Sequence, residues 1–308
     1  MNINKETPVS DLERAARIKA DFSLLLVTLI WGFAFVVQRY AAPMVGVFLF
    51  NGLRFALGAL ALIPIAFLYQ PQEPVLPGIN HKNIGYVILA GFLLFTGAAF
   101  QQAGLIYTPA GNAGFITGLY VIFVPLIMAL FLHQWPRPVI WIAAGLAVSG
   151  LYLLSASGSM PPNIGDGYVL ISSLIWSLHV ILIGWLVVRM DLMQFAIGQY
   201  LFCALFSIVI GLSIEGKTLG DMQGAWWAIL FTGVISVAIG YTLQAAAQRV
   251  APPSDAVIIL SVEAIFAAIF GWLLLDEYLT PIQILGCGII LFGMLLSQSH
   301  LLRKEPHA

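Results

Sequence analysis

The chain has 308 residues, of which 60% are hydrophobic and only 9% charged, with a formal net charge of −1 and a mean hydropathy of +0.96. Soluble domains carry about 25% charged residues, so this composition excludes an ordinary globular enzyme and describes a chain solvated mainly by lipid. A basic patch of the kind that holds nucleic acid is absent from the sequence, and so is any disulfide framework or metal-ligand spacing around the two cysteines, Cys203 and Cys287.

Along the chain, a mixed-charge segment (residues 1–20) precedes five apolar stretches, roughly Phe22 to Tyr40, Val45 to Tyr69, Ile84 to Tyr107, Ala110 to Leu132 and Val139 to Ser155. Five more follow, roughly Tyr168 to Val188, Phe195 to Ile214, Trp226 to Ala247, Ala256 to Leu275 and Ile282 to Ser297. Each is near the ~20 residues that a helix needs to cross a hydrocarbon layer. Uninterrupted apolar runs without period-two alternation select helices over barrel strands. The links between them, such as Tyr107-Thr-Pro-Ala-Gly-Asn112 and Ala251-Pro-Pro-Ser-Asp255, leave no room for a soluble domain. The expected fold is all-α and polytopic: a cytoplasmic tail at 1–20, a first five-helix repeat at 21–155, a second at 166–298 and a cytoplasmic tail at 299–308. The first span is expected to be retained, not cleaved as a signal peptide.

Basic residues gather in short cytoplasmic segments. With the amino terminus inside, Lys5, Arg14, Arg17, Lys19, Lys82, Arg137, Arg189, Arg249, Arg303 and Lys304 all fall on that side, leaving Arg39 and Lys217 outside and Arg54 within a span. Both termini are therefore expected in the cytoplasm, and the protein in the cytoplasmic (inner) membrane.

The halves repeat. Thr28-Leu-Ile-Trp31 is answered by Ser173-Leu-Ile-Trp176 at an offset of 145, with Asp21 and Asp166 opening both helices. A constant offset of 143 pairs Gln101 with Gln244, Ile122-Phe123 with Ile265-Phe266, Pro138 with Pro281, Gly145 with Gly288 and Gly150 with Gly293. The second helix of each copy aligns poorly. Five spans per copy is an odd number, so the second copy is expected upside down relative to the first, as in many secondary transporters.

Polar groups inside spans are the functional candidates. Trp31, Phe35 and Gln38 form one stripe on the first span. Arg54 sits within the second and reads first as a structural or snorkelling charge whose stem reaches the headgroups; its guanidinium could instead anchor a carboxylate or pair with Glu263. Gln101 in the third span matches Gln244, which with Tyr241 and Gln248 forms a stripe on the eighth. Such amides and phenols either orient a zwitterion or tie helices together. Thr117 and Tyr120 lie on the face of the fourth span whose repeat-mate is Glu263, at the expected pseudo-twofold centre. Trp176 and His179 share a face of the sixth span; the histidine could relay a proton or simply pack. Glu263 is the sharpest candidate, because a charge at the bilayer centre costs about 2.5 to 3.5 kcal/mol on insertion scales. It reads as a substrate-amine contact, a proton-coupling carboxyl, or a structural acid. The glycines of the fourth, fifth and tenth spans read as close helix contacts.

The repeated Leu-Ile-Trp, the Phe-Asn-Gly-Leu-Arg54-Phe run and the Asp276-Glu277-Tyr-Leu-Thr-Pro-Ile-Gln-Ile-Leu-Gly286 stretch resemble the EamA-type drug/metabolite transporters. That resemblance covers nearly the whole chain and implies ten spans in two inverted repeats, and export of amino acids, metabolites or drugs. It also implies an arginine at position 54, on a helix packed outside the central cavity. The first copy departs from the pattern, carrying His133-Gln134-Trp135 where the second has Asp276-Glu277-Tyr278.

The expected function is thus a secondary transporter, an exporter of a small organic metabolite by alternating access, with proton coupling through Glu263 or His179. A passive facilitator is the alternative, and a membrane-embedded enzyme a weaker one: no metallohydrolase, nucleophile-elbow or phosphate-loop motif is present, so no catalytic residue, cofactor or metal is assigned. Expected partners are the small-molecule substrate, the lipid bilayer and protons, with no nucleic acid; the sequence does not fix an oligomeric state.

Overall fold

The computed structural model describes residues 11–68, 76–155, 163–216, 223–276, 278 and 280–297. Lys5, Lys217, Glu277, Arg303, Lys304 and the tail at 299–308 lie outside them. Among the described residues the chain forms ten helical segments and no strand. They are α1 (Asp11–Ala41), α2 (Val47–Leu68), α3 (Ile84–Gly104), α4 (Ala110–Phe131), α5 (Pro138–Ser155), α6 (Ile164–Leu186), α7 (Leu192–Ile214), α8 (Gln223–Ala247), α9 (Pro253–Leu274) and α10 (Pro281–Ser297). Eight are long and apolar enough to cross a membrane; α5 and α10 are shorter apolar helices. The outward surface carries Leu60, Phe67, Leu130, Phe131, Leu205 and Leu212, each more than half exposed, as lipid contact requires.

Helix α1 starts at Asp11, inside the segment expected to be a tail. The apolar run alone did not reveal this, because the extra turns are charged; Arg17 pairs with Asp21 one turn on. At its other end Arg39 donates to the carbonyls of Leu105 and Ile106, satisfying acceptors released at the end of α3.

Helices α4 and α9 are each broken. The first runs as Ala110–Thr117 and Tyr120–Phe131, the second as Pro253–Leu260 and Glu263–Leu274. At each break the backbone tightens to i→i+3 hydrogen bonds: Leu119 to Ile116 and Val121 to Gly118 in one, Val262 to Ile259 and Ala264 to Ser261 in the other. Every one of these bonds has its counterpart 143 residues on. So do the entry prolines, Pro109 (φ −55°, ψ 152°) and Pro252 (φ −57°, ψ 150°), and the left-handed exits at His133 (φ 54°) and Asp276 (φ 55°). Ser173 Oγ donates to the Thr117 carbonyl at 2.8 Å, so an acceptor freed by the first break is not left unpaired.

Packing joins matched helices. Helices α2 and α7 run antiparallel, with Gly52 against Ile208 and Gly211 against Leu49. Helices α5 and α10 also run antiparallel: Gly150 abuts Gly286 and Ile290, while Gly293 abuts Ala143 and Leu146. A β-carbon at Gly150 would lie 2.6 Å from the Gly286 carbonyl oxygen and 2.8 Å from Ile290 Cγ1. Gly150→Val is therefore expected to destabilise by about 1–3 kcal/mol through overpacking, read as a lowered thermal unfolding midpoint in detergent. Helix α3 packs on α6, and α1 against α8 and α9. In α8 the stretch Phe231–Tyr241 is wound as a π-helix, in which Gly233 and Gly240 let α2 and the Trp31 indole approach closely.

Candidate functional site

Between the halves lies a cavity of about 40 Å³, walled by α1, α2, α3, α4, α6, α8 and α9. It has room for about three waters, too little for a metabolite. Most of the polar residues singled out in the sequence line it: Gln38, Arg54, Gln101, Thr117, Gln244 and Glu263, with the phenol of Tyr120.

One wall is aromatic. The Trp31 and Tyr241 rings lie 4.6 Å apart and those of Trp176 and Tyr241 5.8 Å apart, so a single phenol bridges the two tryptophans that the repeat pairs. Trp31 Nε1 donates to the Ser236 carbonyl at 3.3 Å, whereas Trp176 Nε1 has no partner. Phe35 also lines the cavity.

Glu263, 2% exposed, is the first residue after the break in α9, and Tyr120 the first after the break in α4. The breaks swing these positions together, and Tyr120 Oη donates to Glu263 Oε1 at 2.8 Å. The two residues are 143 apart, so this bond joins a position to its own repeat-mate. Gln101 Nε2 donates to Thr117 Oγ1 at 3.3 Å on the same side.

Arg54 is placed differently from the expectation drawn for it. Its side chain does not snorkel: the residue is 1% exposed, Nε donates to Asn51 Oδ1 at 2.9 Å and Nη1 to Gln38 Oε1 at 2.8 Å. The guanidinium lies over the rings of Phe50 and Phe55, at 5.5 and 5.0 Å. Helix α2 thus reaches the cavity instead of packing outside it. The two bonds fix the guanidinium plane and leave Nη2 buried without a partner. A fixed cationic donor of this kind at a cavity wall has the geometry to receive an anion. Its direct pairing with Glu263, left open by the sequence, is not among the ion pairs that the described residues form.

Two candidates stand one layer back. His179 is fully buried behind Trp176 and bonds Gln199 through Nε2 at 3.0 Å, away from the cavity. Gln248 accepts from Gln244 Nε2 at 3.1 Å and donates to the Val180 carbonyl at 3.0 Å, so it positions Gln244, whose Oε1 is left without a partner. Sequence reasoning missed Ser236, Val180 and Leu260 on the wall and Asn51 and Gln199 behind it. Gln199 had a weak signal: the offset of 145 that matches the first helices carries Arg54 onto Gln199, although their partners Gln38 and His179 fall opposite Ile183 and Ala34. The described residues hold no group of His, Cys, Asp or Glu suited to a metal ion.

Comparison with known proteins agrees with this architecture. Residues 18–156 and 163–298 each match the profile of the EamA-like transporter family. An uncharacterized transporter of Archaeoglobus fulgidus is 32% identical over 290 residues, covering 92% of this chain and 87% of the relative. The threonine/homoserine exporter RhtA of Escherichia coli K12 is 27% identical over 279 residues, 85% of each chain. A crystal structure at 16% identity superposes with a TM-score of 0.74 over 94% of this chain and 99% of its own, which shows a shared fold.

Proposed function

The chain belongs to the EamA-like transporter family of multi-pass membrane proteins, and we propose that it exports a small amino-acid-like zwitterion by alternating access. The observation that carries this reading is an acid and a base on one cavity: the Arg54 guanidinium, whose Nη2 is unpartnered, and the Glu263 carboxyl. A substrate carboxylate would meet the guanidinium and its ammonium the glutamate, with Trp31, Trp176 and Tyr241 packing its side chain and Gln244 Oε1 accepting from it. The likeness to RhtA favours the same substrate class.

The proposed arrangement mounts the two halves head to toe in the bilayer, with both termini in the cytoplasm. Three matched pairs support that arrangement. Helices α2 and α7, and α5 and α10, meet their mates antiparallel, and Tyr120 meets Glu263 across the centre. A twofold axis in the membrane plane relates antiparallel mates, whereas an axis along the normal would make them parallel. The tightened turns at the breaks in α4 and α9 give each half a hinge beside the site. Proton coupling is assigned to Glu263, which lines the cavity, in preference to His179, which does not.

The test is countertransport. Liposomes holding the purified protein and preloaded with unlabelled threonine or homoserine should accumulate the labelled amino acid far above empty liposomes. An imposed pH gradient should drive net accumulation without preloading. A panel of amino acids that neither exchanges nor accumulates would overturn the reading, and exchange without gradient-driven accumulation would make the protein a facilitator.

A further inference from the structure

Cavity and surface are separated very differently at the two ends of the molecule. Between the cavity and the start of α9, Leu24, Val27, Val124 and Met128 are buried in the apolar core. Asp255, at the start of α9, is 2% exposed and accepts through one oxygen, Oδ2, from both Arg17 Nη2 and Arg137 Nη2, each at 2.9 Å. Arg17 also bonds Asp21 through Nε. This network ties α1 and the segment entering α5, from the first copy, to α9 of the second.

Repeat symmetry would place a similar ion triad at the opposite end; among the described residues the copies are joined there by Glu215 accepting from the Phe48 and Leu49 amides, and no ion pair is formed. The mates of Asp255 and Arg137 are Asn112 and Thr280, both neutral, and the position matching Arg17 is Pro162 in the sequence. Asp166, the mate of Asp21, caps its own helix through the Asn163 amide and accepts from Thr108 Oγ1 at 2.8 Å. A surface cleft of about 440 Å³, lined by Arg39, Tyr40, Pro43, Ile106 and Leu275, lies at that end, and Arg39 directly follows the cavity residue Gln38.

We propose that the Arg17–Asp255–Arg137 ion triad is a latch on the end assigned to the cytoplasm by its basic residues, and so makes opening to the cytoplasm the controlled, loading step of transport. This rests on the alternating-access reading above. The physics suits a latch. Buried ion pairs return little net stability because desolvation offsets their attraction, so a pair released into water on opening costs less than its geometry suggests. Removing one partner is another matter, since it strands the remaining charges in the closed form but not in the open one, where water reaches them. Loss of Asp255 should therefore drive the equilibrium toward the open cytoplasmic end.

The test reads conformation without substrate. In full-length protein with Cys203→Ala and Cys287→Ala, a reporter Ser236→Cys on the cavity wall is labelled with a membrane-impermeant thiol reagent in right-side-out and inverted vesicles. Asp255→Asn, which installs the neutral group present at position 112, should raise the labelling rate from the cytoplasmic side about tenfold and lower it from the other. Arg137→Gln, at a side chain a third exposed, should give a smaller shift in the same direction and serves if Asp255→Asn does not fold. No shift in the folded variants, or an equal rise from both sides, would overturn the latch. Unequal, exchangeable access in the parent protein with no effect of either variant would sink the latch and leave alternating access standing. Simultaneous access from both sides in the parent would sink both.

Discussion

Glu263→Gln is expected to give a folded protein whose transport falls about ten- to hundredfold and no longer responds to a pH gradient. The substitution keeps the side chain's size and an oxygen for the Tyr120 hydroxyl, which donates at 2.8 Å, so packing beside the break in α9 should survive. What goes is the carboxylate lining the cavity. A hydrogen bond to a charged group is worth about 1.5–3 kcal/mol, and each 1.4 kcal/mol is tenfold in affinity. Countertransport at several pH values, together with thermal unfolding in detergent, separates the outcomes. Retained pH dependence in a folded Glu263→Gln protein would remove Glu263 from the coupling step. His179→Ala should act more weakly, since the ring stands behind Trp176 and reaches the cavity only through its neighbours.

Arg54→Met should abolish transport, by at least about a hundredfold, with a much smaller change in stability. If the arginine were structural, the two losses would track each other. Truncation leaves Asn51 Oδ1 and Gln38 Oε1 without their donor, at about 1–3 kcal/mol each, but it also removes a charge buried at 1% exposure. No counter-charge is stranded by the change, so these contributions oppose each other. A substrate carboxylate, by contrast, would lose its cationic partner outright. Arg54→Lys should lie between, raising KM about tenfold, because an ammonium supplies charge without the planar fork that Asn51 and Gln38 hold in place. The unfolding midpoint and KM measured on one preparation decide the matter.

Much of this was legible in the sequence because the repeat is. A fixed offset of 143 through the last three helices of each copy places Tyr120 and Glu263 at equivalent positions, and equivalent positions on facing helices meet at a symmetry centre. That yields their hydrogen bond. A second offset, 145 in the first helices, pairs the tryptophans of the aromatic wall. The breaks at 118–119 and 261–262 were not legible, since neither carries a proline and a tightened turn differs from an α-turn by one hydrogen-bond register, which composition does not record. The inward aim of Arg54 was hidden as well. A helix apolar all round has no periodicity to show which side faces protein, and the asparagine that fixes the guanidinium, Asn51, draws notice only once the contact is seen. The charged start of α1 was missed for the opposite reason: hydropathy finds the hydrocarbon layer, and that helix continues beyond it.

In the proposed cycle Arg54 and Glu263 hold the two charged ends of one substrate. Competition against countertransport of the labelled amino acid tests it most directly, using the unlabelled amino acid, its methyl ester and its N-acetyl derivative. The account predicts that only the zwitterion competes, each blocked form being weaker by about tenfold or more, and that Arg54→Met and Glu263→Gln erase discrimination against the ester and the N-acetyl form respectively. Equal competition by all three compounds in the unsubstituted protein would contradict it.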